Sequence, residues 1–221
     1  MPVTVHTVRI STHGRYLFEP ASSLAESAPL LVGFHGYREA ADAQMERLRM
    51  VPGSASWRLA SIQGLNRFYK GRGSQDVVAG WMTRQDRELV MADNREYVAA
   101  VIAEIERSSG PVRGIVFAGF SQGVAMAFRA ACAAKAPVLG LMSLGGDVPP
   151  ELDHVALGRI PVVLLGRGTS DELYPQTQWA ADRDRLVEAG VTTESVGVEA
   201  GHEWNAQFSR PAADFLARLR G

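Results

Sequence analysis

One cysteine, Cys132, occurs in 221 residues. A disulfide within the chain is therefore impossible, and a zinc site built on several thiolates is excluded. Its place in an alanine-rich segment predicts a buried, inert thiol. Neither sign of charge predominates: 23 Lys and Arg stand against 24 Asp and Glu, a net charge of −1. No long run of one sign occurs either, which leaves no electrostatic footprint for nucleic acid or an anionic membrane surface. No apolar run reaches the length needed to span a bilayer, and the first residues, Met1 to His6, show no basic stretch followed by an apolar block. The expectation is a cytoplasmic protein with neither a membrane span nor a nucleic-acid partner. No internal repeat, low-complexity tract or linker interrupts the chain, so residues 1–221 are expected to form a single domain with a substantial core.

What the chain does have is a succession of short apolar runs separated by helical patterns. Val3–Ile10 alternates as a half-exposed strand does, and Tyr16–Phe18 can return from it in an antiparallel hairpin. A Ser/Ala/Pro loop over Glu19–Pro29 leads to a buried strand, Leu30–Phe34. Glu39–Met50 reads as a helix and Trp57–Ile62 as a strand. Residues 63–82 form a long irregular stretch with four glycines. Such a loop in a compact domain is usually functional. Thr83–Asp86 has the pattern of a capping box. It opens a long helix with Leu89, Val90, Tyr97, Val98, Val101, Ile102 and Ile105 on one face. Strands follow over Ile115–Ala118, Val138–Leu144, Ile160–Leu165 and Thr192–Glu199. Helices follow over Val124–Lys135, Pro175–Ala189 and from Ser209 and Pro211 onward. Strand and helix alternate along nearly the whole chain, which predicts an α/β fold: a mostly parallel central sheet with helices on both faces. Ligands of such sheets gather beyond the carboxyl ends of the strands. Tyr37, Trp81, Ser121, Asp147, Asp171 and His202 all follow strands and should share one edge.

The segment Gly119-Phe-Ser121-Gln-Gly123 sits where a strand meets a helix, the context a nucleophile elbow requires. A serine at the tip of so tight a turn is held in an unfavourable conformation, and only glycine leaves room two residues to either side. A serine hydroxyl needs a neighbouring base, and histidine has a suitable pKa. Among five histidines, His202 follows the last strand, beside Gly201, and comes after Ser121 in the order expected of this chemistry. The acid that orients it should follow a strand between the two. Asp171 and Asp147 both do; Asp153 and Glu172 are weaker candidates. Two backbone N–H groups are expected to stabilise an oxyanion: that of Gln122, after the nucleophile, and that of Tyr37, in the Gly36 turn after Leu30–Phe34. Trp81, Met82, Phe68 and Leu173 could supply an apolar acyl pocket, core packing being the alternative.

Phe34-His-Gly-Tyr37, the Ser121 pentapeptide, Gly166…Asp171-Glu-Leu-Tyr-Pro175 and Ala200-Gly-His202-Glu-Trp204 together resemble the α/β-hydrolase superfamily. More narrowly, the chain is similar to the phospholipase/carboxylesterase family of small serine esterases, which includes acyl-protein thioesterases. The resemblance runs from about Leu30 to the C-terminus. It implies an almost lidless hydrolase with Ser121, Asp171 and His202 as its triad and Tyr37 and Gln122 as oxyanion donors. It also implies cleavage of carboxylic esters or thioesters, as small-molecule substrates, without a cofactor. Amide or lactone hydrolysis would use the same groups, and a binding protein on this fold would usually lack one of them. Residues 71–84 depart from the Trp-Phe-Asp pattern of the thioesterase branch, and Tyr37-Arg38 puts more bulk beside the oxyanion turn. Only Gly145–Arg159 separates two strands where a lid would sit, so an open, shallow site is expected.

Overall fold

The apolar runs pair edge to edge. A computed structural model describes residues 2–22 and 28–220 of the chain. The strands are β1 (Tyr16–Glu19), β2 (Leu30–Phe34), β3 (Arg58–Ile62), β4 (Asn66–Tyr69), β5 (Val77–Gly80), β6 (Ile115–Phe120), β7 (Val138–Leu144), β8 (Val162–Gly168) and β9 (Thr192–Val198). Seven of them form one sheet in the order β1-β3-β2-β6-β7-β8-β9, and β4 and β5 form a separate pair. Every neighbour in the large sheet is parallel except β1, which runs antiparallel to β3.

The helices are α1 (Ala41–Arg49), α2 (Arg87–Ser109), α3 (Gln122–Ala133), α4 (His154–Leu157), α5 (Gln176–Glu188) and α6 (Ala206–Arg220). They cover both faces, which is why β2, β3 and β6 are buried along their whole length. Alternate residues divide between two cores. Leu30, Val32 and Phe34 pack with Val98, Val101 and Ile105 of α2 and with α3. Leu31 packs with Met45 and Leu48 of α1 and with Phe208 and Phe215 of α6. No helix among the described residues is long and apolar enough to cross a membrane.

Four local expectations change. The antiparallel N-terminal pair exists, but β1 makes it with β3, Tyr16 opposite Ile62; residues 2–15 form no strand. Val3 and Val5 fall on one side of an extended chain and Val8 and Ile10 on the other, so neither face is apolar throughout, and all four stay exposed. Residues 63–82 are not irregular: β4 and β5 pair as a hairpin, Asn66 opposite Gly80, with the Lys70 N–H donating to the Asp76 carbonyl at 2.9 Å. Four-residue strands with an exposed face leave little periodic trace. The capping box does not form, because α2 begins at Arg87 after Asp86, whose φ is 49°. Leu89 is exposed, and Asn94 takes a buried place on the helix instead, its Nδ2 donating to the Trp81 carbonyl at 2.7 Å. Finally, α6 starts ahead of Ser209. Asn205 Oδ1 accepts from the Gln207 N–H at 3.0 Å, a side-chain cap of the kind asparagine favours, and Pro211 lies within the helix. Of the loop expected over Glu19–Pro29, residues 23–27 lie outside the described residues.

Candidate active site

The central strand β6 ends in the elbow. Ser121 has φ 52° and ψ −123°, a region a side chain rarely adopts. Its N–H donates to the Leu144 carbonyl at 3.0 Å and its own carbonyl accepts from the Val124 N–H at 2.9 Å, so the strain is held from both sides. The flanking glycines are steric necessities. A Cβ on Gly119 would lie 2.6 Å from the Gly123 carbonyl oxygen, and one on Gly123 would lie 2.1 Å from that of Phe34. Both obstacles are backbone. Gly123→Ala is therefore expected to cost about 2–3 kcal/mol of stability, about 5–10 °C in melting temperature, as a thermal melt would read.

Asp171 and His202 arrive on neighbouring loops after β8 and β9. Thr169 and Ser170 N–H groups donate to the Val198 and Ala200 carbonyls at 2.8 and 3.0 Å, which ties the two loops together. Asp171 is 3% exposed. Its Oδ1 accepts from the Leu173 and Tyr174 N–H groups at 2.9 and 3.0 Å, and its Oδ2 lies 2.8 Å from His202 Nδ1. His202 Nε2 is 2.8 Å from Ser121 Oγ. The partners assign the tautomer: Nδ1–H donates to the carboxylate, and Nε2 accepts from the hydroxyl. Asp147, the other candidate acid, is exposed and makes no bond to His202.

The turn after β2 is held by a partly buried ion pair. The Gly36 N–H donates to Glu39 Oε2 at 2.7 Å, and Arg47 grips both oxygens of that carboxylate at 2.5 and 2.6 Å. Burial disfavours ionised Glu39, but the Arg47 hydrogen bonds and charge outweigh it and hold the carboxyl below its ordinary range. The Arg47 guanidinium also lies 4.2 Å from the centre of the Phe120 ring, which in turn is 5.1 Å from the His202 ring. His35 is fully buried; Nδ1–H donates to the Gly36 carbonyl at 2.7 Å and Nε2 accepts from the Gly64 N–H at 3.0 Å. Burial lowers its pKa, favouring the neutral ring those partners need. Gln122 holds the other side: Oε1 accepts from the Trp81 N–H at 2.8 Å and Nε2 donates to the Met82 carbonyl at 3.0 Å. Among the described residues, no protein acceptor takes the backbone N–H of Tyr37 or Gln122. Glu39, Arg47 and His35 went unpredicted as supports. A glutamate three residues after Gly36 is too common a spacing to single out.

A cavity of about 240 Å³ opens at Ser121 and His202. Of the four residues expected at an acyl pocket, Met82 and Leu173 line it; Trp81 and Phe68 do not. Trp81 is core, edge-on to Phe34 at 5.4 Å with its Nε1–H on the His35 carbonyl at 2.9 Å. Phe68 packs against the ring of Tyr37 at 5.7 Å. Both aromatic residues pack against the turn after β2. Cys132 is buried as expected, its thiol pushed up to about 11 by burial.

The central parallel sheet with an elbow at the end of β6 defines an α/β-hydrolase fold. A family model for phospholipases and carboxylesterases matches residues 76–219, and the chain belongs to that family. Family and fold together support hydrolysis of esters or thioesters. Among solved structures, the chain is similar to esterase PE8, at 20% identity and a TM-score of 0.74, over 94% of this chain and 100% of that one. It is similar to a Bacillus cereus carboxylesterase at 14% identity and 0.73, over 93% and 94%. It is also similar to acyl-protein thioesterase 2 of Zea mays at 17% and 0.71, over 95% and 100%. At such identities the likeness speaks for the fold alone. No curated protein matches the chain by sequence.

Proposed function

We propose that the chain, as one domain over residues 1–221, is a serine carboxylesterase working through Ser121, His202 and Asp171. The observation that carries this reading is the continuous line of contacts, with 2.8 Å from Ser121 Oγ to His202 Nε2 and 2.8 Å from Nδ1 to Asp171 Oδ2. Ser121 Oγ bonds to the acyl carbon as its proton passes to Nε2. The carbonyl oxygen, now negative, takes the N–H groups of Tyr37 and Gln122; each such donor is worth about 3 kcal/mol of barrier. The bond to the leaving alkoxide breaks as Nε2 returns the proton to it. Water then attacks the acyl-enzyme by the same route and frees the acid.

A thioester would follow the same steps, and the same groups could open an amide or lactone. The small size of the cavity favours short acyl chains, since about 300–1,000 Å³ is usual for ligand pockets. A fluorophosphonate probe is expected to label Ser121, and 4-nitrophenyl butyrate to turn over faster than the palmitate. Absence of labelling would overturn the serine mechanism; faster palmitate turnover would overturn the short-chain reading.

A further inference from the structure

Two arginines stand at the cavity that opens on Ser121. Arg129 and Arg87 both line it, with Met82, Ala125 and Leu173 among the apolar walls. Gln122, Ala125 and Arg129 are spaced i, i+3, i+7 on α3 and so share one face of that helix. Seven residues of helix rise about 10 Å, and helical side chains lean back toward the N-terminus, so the Arg129 side chain extends toward the end of α3 that follows Ser121.

Arg129 is 4% exposed, which is unusual for an arginine and requires an explanation. Its Nε and Nη2 both reach Glu151 Oε1 at 2.7 Å. Arg87 Nη2 takes the other oxygen of that carboxylate at 3.3 Å. One carboxylate thus serves two guanidiniums. Arg129 Nη1 has no protein acceptor among the described residues, nor do Nε and Nη1 of Arg87. Burial, opposed by Glu151, lowers the Arg129 pKa, and repulsion from Arg87 and Arg95 adds to the lowering. Asp147 is the one carboxylate lining the cavity itself, and it is exposed. The Arg87–Arg129 wall of the cavity therefore has two guanidiniums to the one Glu151 carboxylate they share, and N–H donors to spare for a second carboxylate.

The three substituents of the reacting carbon decide which part of a substrate points there. The oxyanion faces the Tyr37 and Gln122 N–H groups, and the leaving group must face His202 Nε2 to be protonated. The acyl chain takes the remaining direction, into the cavity that Ala125, Arg87 and Arg129 line. We infer that the cavity selects short acyl groups ending in a carboxylate, that is, monoesters of small dicarboxylic acids, with the anion held between Arg87 and Arg129. The inference rests on the serine-esterase reading above.

The test compares 4-nitrophenyl hemiglutarate with 4-nitrophenyl valerate, equal in acyl length, with the spontaneous hydrolysis of the hemiester subtracted. The acidic ester is expected to have the higher kcat/KM by about 10- to 100-fold, the worth of a charge-assisted hydrogen bond or two. Raising the salt concentration should shrink that ratio. Arg87→Gln and Arg129→Gln should each bring it close to one, with Arg87→Lys keeping part of it. Arg87 is only partly buried, so its variant reports even where loss of the buried Arg129 impairs folding, which a thermal melt would reveal. A wild-type ratio of one or below, or a ratio unchanged by Arg87→Gln, overturns the inference while fluorophosphonate labelling of Ser121 still upholds the esterase. No labelling and no turnover of either ester overturns both.

Discussion

Ser121→Ala is expected to abolish ester turnover, lowering kcat by about 10⁵-fold or more, because the nucleophile itself is removed and only binding and the oxyanion donors remain. The protein should otherwise stay as it is. Alanine keeps the Cβ, so the backbone at φ 52° is neither relieved nor further strained. The lost hydroxyl made one hydrogen bond, to His202 Nε2, in a cavity open enough for water to replace it, so the expected change in stability is about 1 kcal/mol or less. Circular dichroism and a thermal melt should superimpose on the wild type while hydrolysis of 4-nitrophenyl butyrate and fluorophosphonate labelling both vanish. A variant that folds and retains a tenth of the turnover would show that Ser121 is not the nucleophile.

That experiment turns on a residue legible from the sequence, and the reason is topological. In a parallel sheet every carboxyl-terminal strand end lies on one edge, so residues that merely follow strands are brought together without any knowledge of packing. Ser121, Asp171 and His202 are read in this way, and β6, β7, β8 and β9 carry them and the loops that face them. The elbow adds a steric signature that is local in sequence, two glycines around a serine, and the 2.1 and 2.6 Å clashes that a Cβ would meet there are its physical cause.

The supports of the turn after β2 lack such a signature. Arg47 reaches back eight positions to Glu39, and Gln122 meets Trp81 across 41 positions of chain. Nothing in the order of residues announces either contact. Trp81 illustrates the same limit. A large aromatic side chain after a strand, among glycines, suits a substrate pocket and a core equally well; the side on which the β4–β5 hairpin falls decides between them. The hairpin itself was hidden because its strands are four residues long and β4 is mostly exposed, so the alternation that marks a half-buried strand has too few repeats to stand out.

Asp171→Asn should cost nearly as much as the loss of the serine, about 10⁴-fold in kcat/KM, and by a route set by hydrogen-bond direction rather than charge alone. Asp171 Oδ1 accepts from two backbone donors, the Leu173 and Tyr174 N–H groups at 2.9 and 3.0 Å. An asparagine must present its carbonyl oxygen to those donors, since the flipped amide would set its NH₂ against two N–H groups and leave them unpaired at about 1–3 kcal/mol each. Its NH₂ then faces His202 Nδ1, which has to accept. The ring proton moves to Nε2, the nitrogen 2.8 Å from Ser121 Oγ, and the lone pair that should take the serine proton is gone. The shape of the site survives, so the fold and the cavity should be retained while fluorophosphonate labelling slows in proportion to turnover. The downfield proton resonance of a histidine Nδ1–H bonded to a carboxylate should disappear from the NMR spectrum of the variant. Asp147→Asn, at the exposed candidate acid, is expected to leave that resonance in place. Turnover that survived in Asp171→Asn and vanished in Asp147→Asn would transfer the role of the acid to Asp147 and overturn the assignment made here.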